Sequence, residues 1–209
     1  MLDKKIVTII DYGLGNLFSI TNALNFLGIK SRVITQIDKI DDIDYLILPG
    51  VGAFPEAIAN LKKQELIEPI KEYCRTGKPL LGICLGMQLL ATISEEYKDT
   101  EGLNLIPGKV IAIPHESNRV PHIAWQQLNF TQDINFLNNI PKESFFYFVH
   151  SYHFKVNDPK HEIANCTYNN TKISSIIKKD NIVATQFHPE KSGEIGLKLL
   201  ENILSKGIK

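Results

Sequence analysis

The first half of the chain repeats one pattern: a short, near-continuous apolar run rich in β-branched residues, then a longer segment with apolar residues three and four apart. "KIVTIID" precedes "LFSITNALNFLG", "DYLILPG" precedes "AFPEAIANLKKQ" and "LIEPIKEYCRTG", and "KPLLGIC" precedes "LGMQLLATISEE". Strands apolar on both faces are buried on both, and a helix between successive strands is the usual crossover that makes them parallel. The pattern predicts an α/β fold with a mostly parallel central sheet flanked by helices. The second half reads differently. "KVIAIP", "ESFFYFVHSYHFKV", "HEIANCTY", "KISSIIKKD" and "NIVATQF" predict strands joined by turns, hence a partly antiparallel second half. "SGEIGLKLLENILSK" predicts a closing amphipathic helix with Ser192 at its N-cap. No repeat, low-complexity run or Gly/Ser linker intervenes, so a single domain over residues 1–209 is expected.

Charge and cysteine usage narrow the function classes. The 23 basic residues balance 23 acidic ones, so no global field draws the chain to nucleic acid or an acidic membrane. No apolar run approaches the roughly 20 residues of a membrane span, and "MLDKKIVTIIDYG" is too short in apolar core for a signal peptide; a cytoplasmic location is expected. Cys74, Cys84 and Cys166 are odd in number and lack C-x-x-C spacing, which points to neither a disulfide framework nor a metal site. No cofactor is expected.

One cysteine stands where chemistry is usually found. Cys84 falls where the "PLLGI" strand should turn into a helix, at the carboxyl end of a parallel strand. Gly82 and Gly86 frame it as a nucleophile elbow requires, since a tight strand-to-helix turn needs residues without side chains on either side. A helix N-terminus would favour the thiolate. The alternative is a buried structural cysteine.

A base and an orienter follow another apparent strand, in "ATQFHPEKSG". His188 and Glu190 are two apart in an extended segment and point the same way, so Glu190 can hold the ring while its other nitrogen takes the Cys84 proton. The oxyanion formed when a thiolate attacks an amide needs donors. "LILPGVGAF" offers a glycine loop at a third strand end, with the Gly52 region and the Leu85 amide as candidates; an ordinary strand-to-helix turn is the alternative.

These residues resemble the class I (triad) glutamine amidotransferases, and among them the glutaminase subunits that serve histidine biosynthesis. The resemblance runs through "IDYGLGNL" at 10–17, "LPGVGAF" at 48–54, "GICLGMQLL" at 82–90 and "GLNLIPGKV" at 102–110, then "VPHIAW" at 120–125, "YFVHSY" at 147–152 and "TQFHPEKSG" at 185–193. It implies a triad of Cys84, His188 and Glu190 that hydrolyses L-glutamine through a thioester. It also implies substrate contacts from Gly52, Gln88 and Glu96, with the backbone around His150 and Ser151 nearby. A zwitterionic substrate needs an anionic group for its ammonium and donors for its carboxylate. For Gln88 a solvated helix position, and for Glu96 an exposed loop, are the competing readings.

The resemblance further implies a partner: a (β/α)8-barrel cyclase on another chain, receiving ammonia within a heterodimer. Asn16 and Trp125 match positions that face it, although Trp125 also reads as a core aromatic. Where the family usually has "PHMGWN" this chain has "PHIAWQ", placing Ala124 and Gln126 as departures within the expected interface. That leaves open a paralogous glutaminase serving a different barrel, such as a sugar amidotransferase for surface polysaccharide. A cysteine peptidase on a similar fold and a non-catalytic binding subunit are disfavoured by Gln88 and by the intact triad.

Overall fold

The computed structural model describes residues 6–114 and 119–206. Along the chain run β1 (Val7–Ile10), α1 (Leu17–Phe26), β2 (Ser31–Ile34), β3 (Tyr45–Leu48), α2 (Phe54–Lys63), α3 (Ile67–Arg75), β4 (Leu80–Ile83) and α4 (Leu85–Gln88). Then come β5 (Ile93–Ser94), β6 (Thr100–Glu101), β7 (Gly108–Ala112), β8 (His122–Gln127), β9 (Asn129–Phe130), β10 (Phe145–His150) and β11 (Tyr152–Val156). β12 (Glu162–Tyr168), β13 (Thr171–Lys179), β14 (Ile182–Thr185) and α5 (Gly193–Lys206) complete it.

The main sheet has eight strands in the order β2-β1-β3-β4-β14-β13-β12-β9. β2 through β14 are mutually parallel and the last three strands run antiparallel, as the change of pattern between the two halves predicts. Successive residues of the parallel strands feed opposite cores. Val7, Ile9, Tyr45, Ile47, Leu81 and Ile83 meet Ile20 and Leu24 of α1 and Leu199, Leu200 and Ile203 of α5. Ile10, Leu46, Leu48 and Leu80 meet Phe54, Ala57, Ile58 and Leu61 of α2 and Ile70 and Tyr73 of α3. This two-sided burial is what near-continuous apolar strands require.

Three local readings are corrected. "LGMQLLATISEE" forms only one helical turn, because Leu89, Leu90 and Ala91 are fully buried and the chain turns at once to lay β5 parallel to β7. "ESFFYFVHSYHFKV" breaks at Ser151 into β10, paired with β8 in a two-stranded ribbon, and β11, paired with β7 in a separate four-stranded sheet. Ser192 does precede α5, but its hydroxyl donates to His188 O (2.6 Å) and accepts from Tyr147 N (3.0 Å), bracing the segment around His188. Among the described residues no helix is long and apolar enough to cross a membrane.

Candidate active site

Three neighbouring parallel strands, β3, β4 and β14, deliver their carboxyl ends to one place. β4 runs into Cys84, whose φ of 56° and ψ of −110° lie in territory that non-glycine residues rarely occupy. The turn depends on Gly86, where any Cβ would strike the Leu48 carbonyl of β3. Cys84 N is tied to Thr185 O of β14 (2.8 Å), so the elbow and the strand leading to His188 are held together.

His188 N bonds to Tyr147 O (3.1 Å), and the ring Nδ1 lies 2.8 Å from Glu190 Oε1, both side chains being almost wholly buried. An Nδ1–H donating to that carboxylate leaves Nε2 for the cysteine, and Nε2 has no hydrogen-bond partner of its own among the described residues. Burial pushes the ring pKa down, but the Cys84 thiolate and the Glu190 carboxylate outweigh it and raise His188 to about 10. At neutral pH the ring is an imidazolium.

Cys84 and His188 open onto a cleft of about 310 Å³ that Gly52, Leu85, Gln88, Glu96, His150 and Ser151 also line. Glu190 stands behind His188. Glu96 is not on an exposed loop: it is buried, and its Oε2 accepts the Phe54 N–H (2.7 Å) at the start of α2. Burial pushes its carboxyl pKa up, partly offset by that hydrogen bond. Gln88 is likewise no solvated helix position. Its Nε2 donates to Tyr152 O (2.8 Å) and to Gln186 Oε1 (3.2 Å). The glycine loop after β3 has Gly52 at φ +97°, and the intervening Val51 amide points away, donating to Leu14 O (3.3 Å). Leu85 N, at the first position of a helical turn, has no intrahelical partner. No group of three or more His, Cys, Asp or Glu among the described residues is placed to hold a metal ion.

Asn16 and Trp125 lie outside the cleft. The Asn16 side chain accepts from Ser19 N (3.1 Å) and caps α1, beside the exposed Phe18. Trp125 is 52% exposed, which rules out the core reading. It shares the outward face of the β8–β10 ribbon with Ile123 and Phe145, in register with Tyr147. Ala124 and Gln126 alternate onto the opposite, half-buried side, paired with Phe148 and Phe146. The departures from the expected motif therefore do not sit on the exposed face, because strand side chains alternate.

Sequence reasoning passed over Gln186. Its Nε2 lies 3.9 Å from Cys84 Sγ, and the signal available was its spacing of two from His188 on an extended segment.

The model of the class I glutamine amidotransferase family matches residues 8–206. The chain belongs to that family. The subunit HisH of imidazole glycerol phosphate synthase from Caldanaerobacter subterraneus subsp. tengcongensis is 46% identical over 196 residues, 94% of this chain and 96% of the relative. HisH from Helicobacter hepaticus is 43% identical over 218 residues, covering 98% of this chain and all of the relative. In three dimensions the amidotransferase chain superposes on the structure of PurLQS from Thermotoga maritima with a TM-score of 0.77 at 19% identity, over 97% of this chain and 99% of that one.

Proposed function

We propose that residues 1–209 act as one domain, the glutaminase subunit of imidazole glycerol phosphate synthase. It hydrolyses L-glutamine and passes ammonia to a (β/α)8-barrel cyclase, its heterodimer partner in histidine biosynthesis. The observation that carries the reading is the delivery of Cys84 and the Glu190-held His188 from adjacent strand ends into a cleft that also contains a buried carboxylate, Glu96. The HisH relatives, similar over nearly the whole chain, favour the histidine pathway over a paralogue serving polysaccharide.

The Cys84 thiolate attacks the substrate side-chain carbonyl, forming an S–C bond and an oxyanion held by amides at Gly52 and Leu85. His188 gives its proton to the departing nitrogen, the C–N bond breaks, and ammonia leaves a glutamyl thioester. Water then loses a proton to His188 as it attacks the thioester, the S–C bond breaks, and glutamate leaves with the Cys84 thiolate regenerated. Glu96 takes the substrate ammonium. Gln88, with Nε2 engaged on both sides, offers Oε1 beside it. The backbone at His150 and Ser151 borders the same substrate.

The ribbon separates this chemistry from the exposed face. Val149 O is 4.0 Å from Cys84 Sγ, and Ile123, Trp125 and Phe145 face outward from the same two strands. An apolar, aromatic face of this kind suits a partner, and Trp125 on that face and Asn16 at the start of α1 are the residues assigned to the interface. In this conformation the Val51 amide is turned onto Leu14 O, leaving the oxyanion to Gly52 and Leu85; a rearranged loop would add Val51 as a further donor, which couples hydrolysis to docking.

The test is glutamate release by the purified chain, alone and with a histidine-pathway cyclase and its ribotide ligand. Strong stimulation that Cys84→Ser abolishes supports the whole reading. Hydrolysis dependent on Cys84 but indifferent to that cyclase moves the partner assignment elsewhere, and equal turnover with and without partner overturns the coupling.

A further inference from the structure

The structure assigns Gln186 a role in the reaction: its side-chain N–H is the hydrogen-bond donor to the Cys84 thiolate, and Gln88 fixes the orientation that makes it so. The inference rests on reading Cys84 as the nucleophile.

Gln186 is fully buried, and an amide can point either its oxygen or its nitrogen at the sulfur. The hydrogen-bond chain leaves one choice. Tyr152 O is a carbonyl and only accepts, so the Gln88 atom 2.8 Å from it is Nε2. That nitrogen's second proton meets the Gln186 atom 3.2 Å away, which must then be Oε1. The Gln186 nitrogen is left facing Cys84 Sγ at 3.9 Å. The same carbonyl also fixes His150, whose Nδ1 donates to it (2.8 Å). His150 Nε2 is therefore bare and accepts from His122 Nδ1 (3.0 Å). Every link from the ribbon to the sulfur has one polarity.

Two neighbours of the sulfur sort its protonation states. Val149 O, 4.0 Å away, accepts from a thiol and repels a thiolate. Gln186 N–H does the reverse. This matters because α4 is a single turn of four residues, too short to build the dipole of a full helix at its N-terminus. The imidazolium of His188 supplies charge on one side, and Gln186 supplies a neutral donor that no proton transfer removes.

The test reads the thiolate directly. The rate of Cys84 alkylation by iodoacetamide is measured against pH on the full chain, with Cys84→Ser for background. Cys74 and Cys166 are buried, and their thiols are pushed by that burial to about 12 and about 11, so they stay silent at neutral pH. Gln186→Met keeps the length and loses the donor. Its alkylation midpoint should rise by about one pH unit, a rate roughly tenfold lower below both midpoints, with the high-pH plateau unchanged. Gln88→Met, which releases the orientation of Gln186, should shift the midpoint the same way by less.

A folded Gln186→Met chain with the original midpoint, or one slowed equally at every pH, overturns the assignment. If that variant does not fold, an unshifted midpoint in Gln88→Met does the same. Neither glutamine nor partner enters the assay, so its failure is separable from failure of the glutaminase reading.

Discussion

The two halves of the molecule contribute to the site in different currencies. Among the described residues before 100 the buried polar side chains are Thr8, Gln88, Ser94 and Glu96; after it come His122, His150, His153, Glu162, Asn165, Gln186, His188 and others. The parallel half builds with backbone: an elbow at Cys84 and a glycine loop after β3, both set by close approach between strand ends. The second half, antiparallel except for its last strand β14, builds with buried side chains whose protons have fixed places. A nucleophile made by steric constraint is thus activated by a hydrogen-bonded network drawn mostly from the other half, with Gln88 joining the two, and the two regions should fail in different ways.

The largest effect expected of a single substitution in the network is on turnover. Glu190→Gln keeps the shape of the triad but no longer holds His188 as an imidazolium; kcat for glutamine should fall by roughly 10² to 10⁴ in a chain that still folds, with stability reduced at neutral pH and little changed near pH 10. A folded variant with undiminished kcat would make Glu190 structural and blur the division between the halves.

Gly86→Ala attacks the other half. Its Cβ would meet the Leu48 carbonyl of a central strand, so a loss of about 3 kcal/mol is expected, or roughly 6–12 °C in a thermal melt. An unshifted melt would show that the elbow has room the structure denies it.

The histidines make the second half sensitive to acid. Burial holds His122 at about 4, His150 at about 3 and His153 at about 4, and His122 is stacked between Tyr168 and Phe148. Each folded value lies below the unfolded one, near 6.5, so the unfolded chain takes up protons first as pH falls. Their contribution is complete above pH 6.5 and is lost on the way down to about 4, by about 2 kcal/mol per ring between pH 7.5 and 5. His188 has the opposite sign. Its raised value contributes fully below 6.5 and the contribution disappears as pH climbs towards 10. Urea unfolding at pH 5, 7.5 and 10 should show the first loss reduced in His122→Phe and the second reduced in Glu190→Gln.

The smallest effect on the isolated chain belongs to Trp125→Ala, within about 0.5 kcal/mol in urea unfolding, because the side chain stands half in solvent. The same variant should weaken titration with the cyclase several-fold. A large loss of stability with no change in partner affinity would return Trp125 to a structural role.

Much of the parallel half was legible because a buried strand and its crossover helix each imprint a period on the sequence. β2 escaped because "SRVI" lies at the sheet edge and is only partly buried, so its pattern is mixed. β8 escaped for a similar reason: its outward positions hold Ile123 and Trp125, which carry apolar character into solvent. The break at Ser151 has no turn residues to announce it and is decided by which sheet each strand pairs with. In the site, Cys84, His188 and Glu190 carry recognisable chemistry at strand ends. Gln186 does not, because a glutamine gains a role only from the partners that tertiary structure gives it.

The central claim is a covalent glutamyl intermediate on Cys84. The most direct measurement is the intact mass of the chain, acid-quenched during turnover of glutamine with the cyclase and its ligand present. The account predicts a glutamyl adduct that maps to Cys84 and is absent from Cys84→Ala, whose glutamate release falls by roughly 10⁴-fold or more. Sustained glutamate release with no adduct, undiminished in Cys84→Ala, would contradict it.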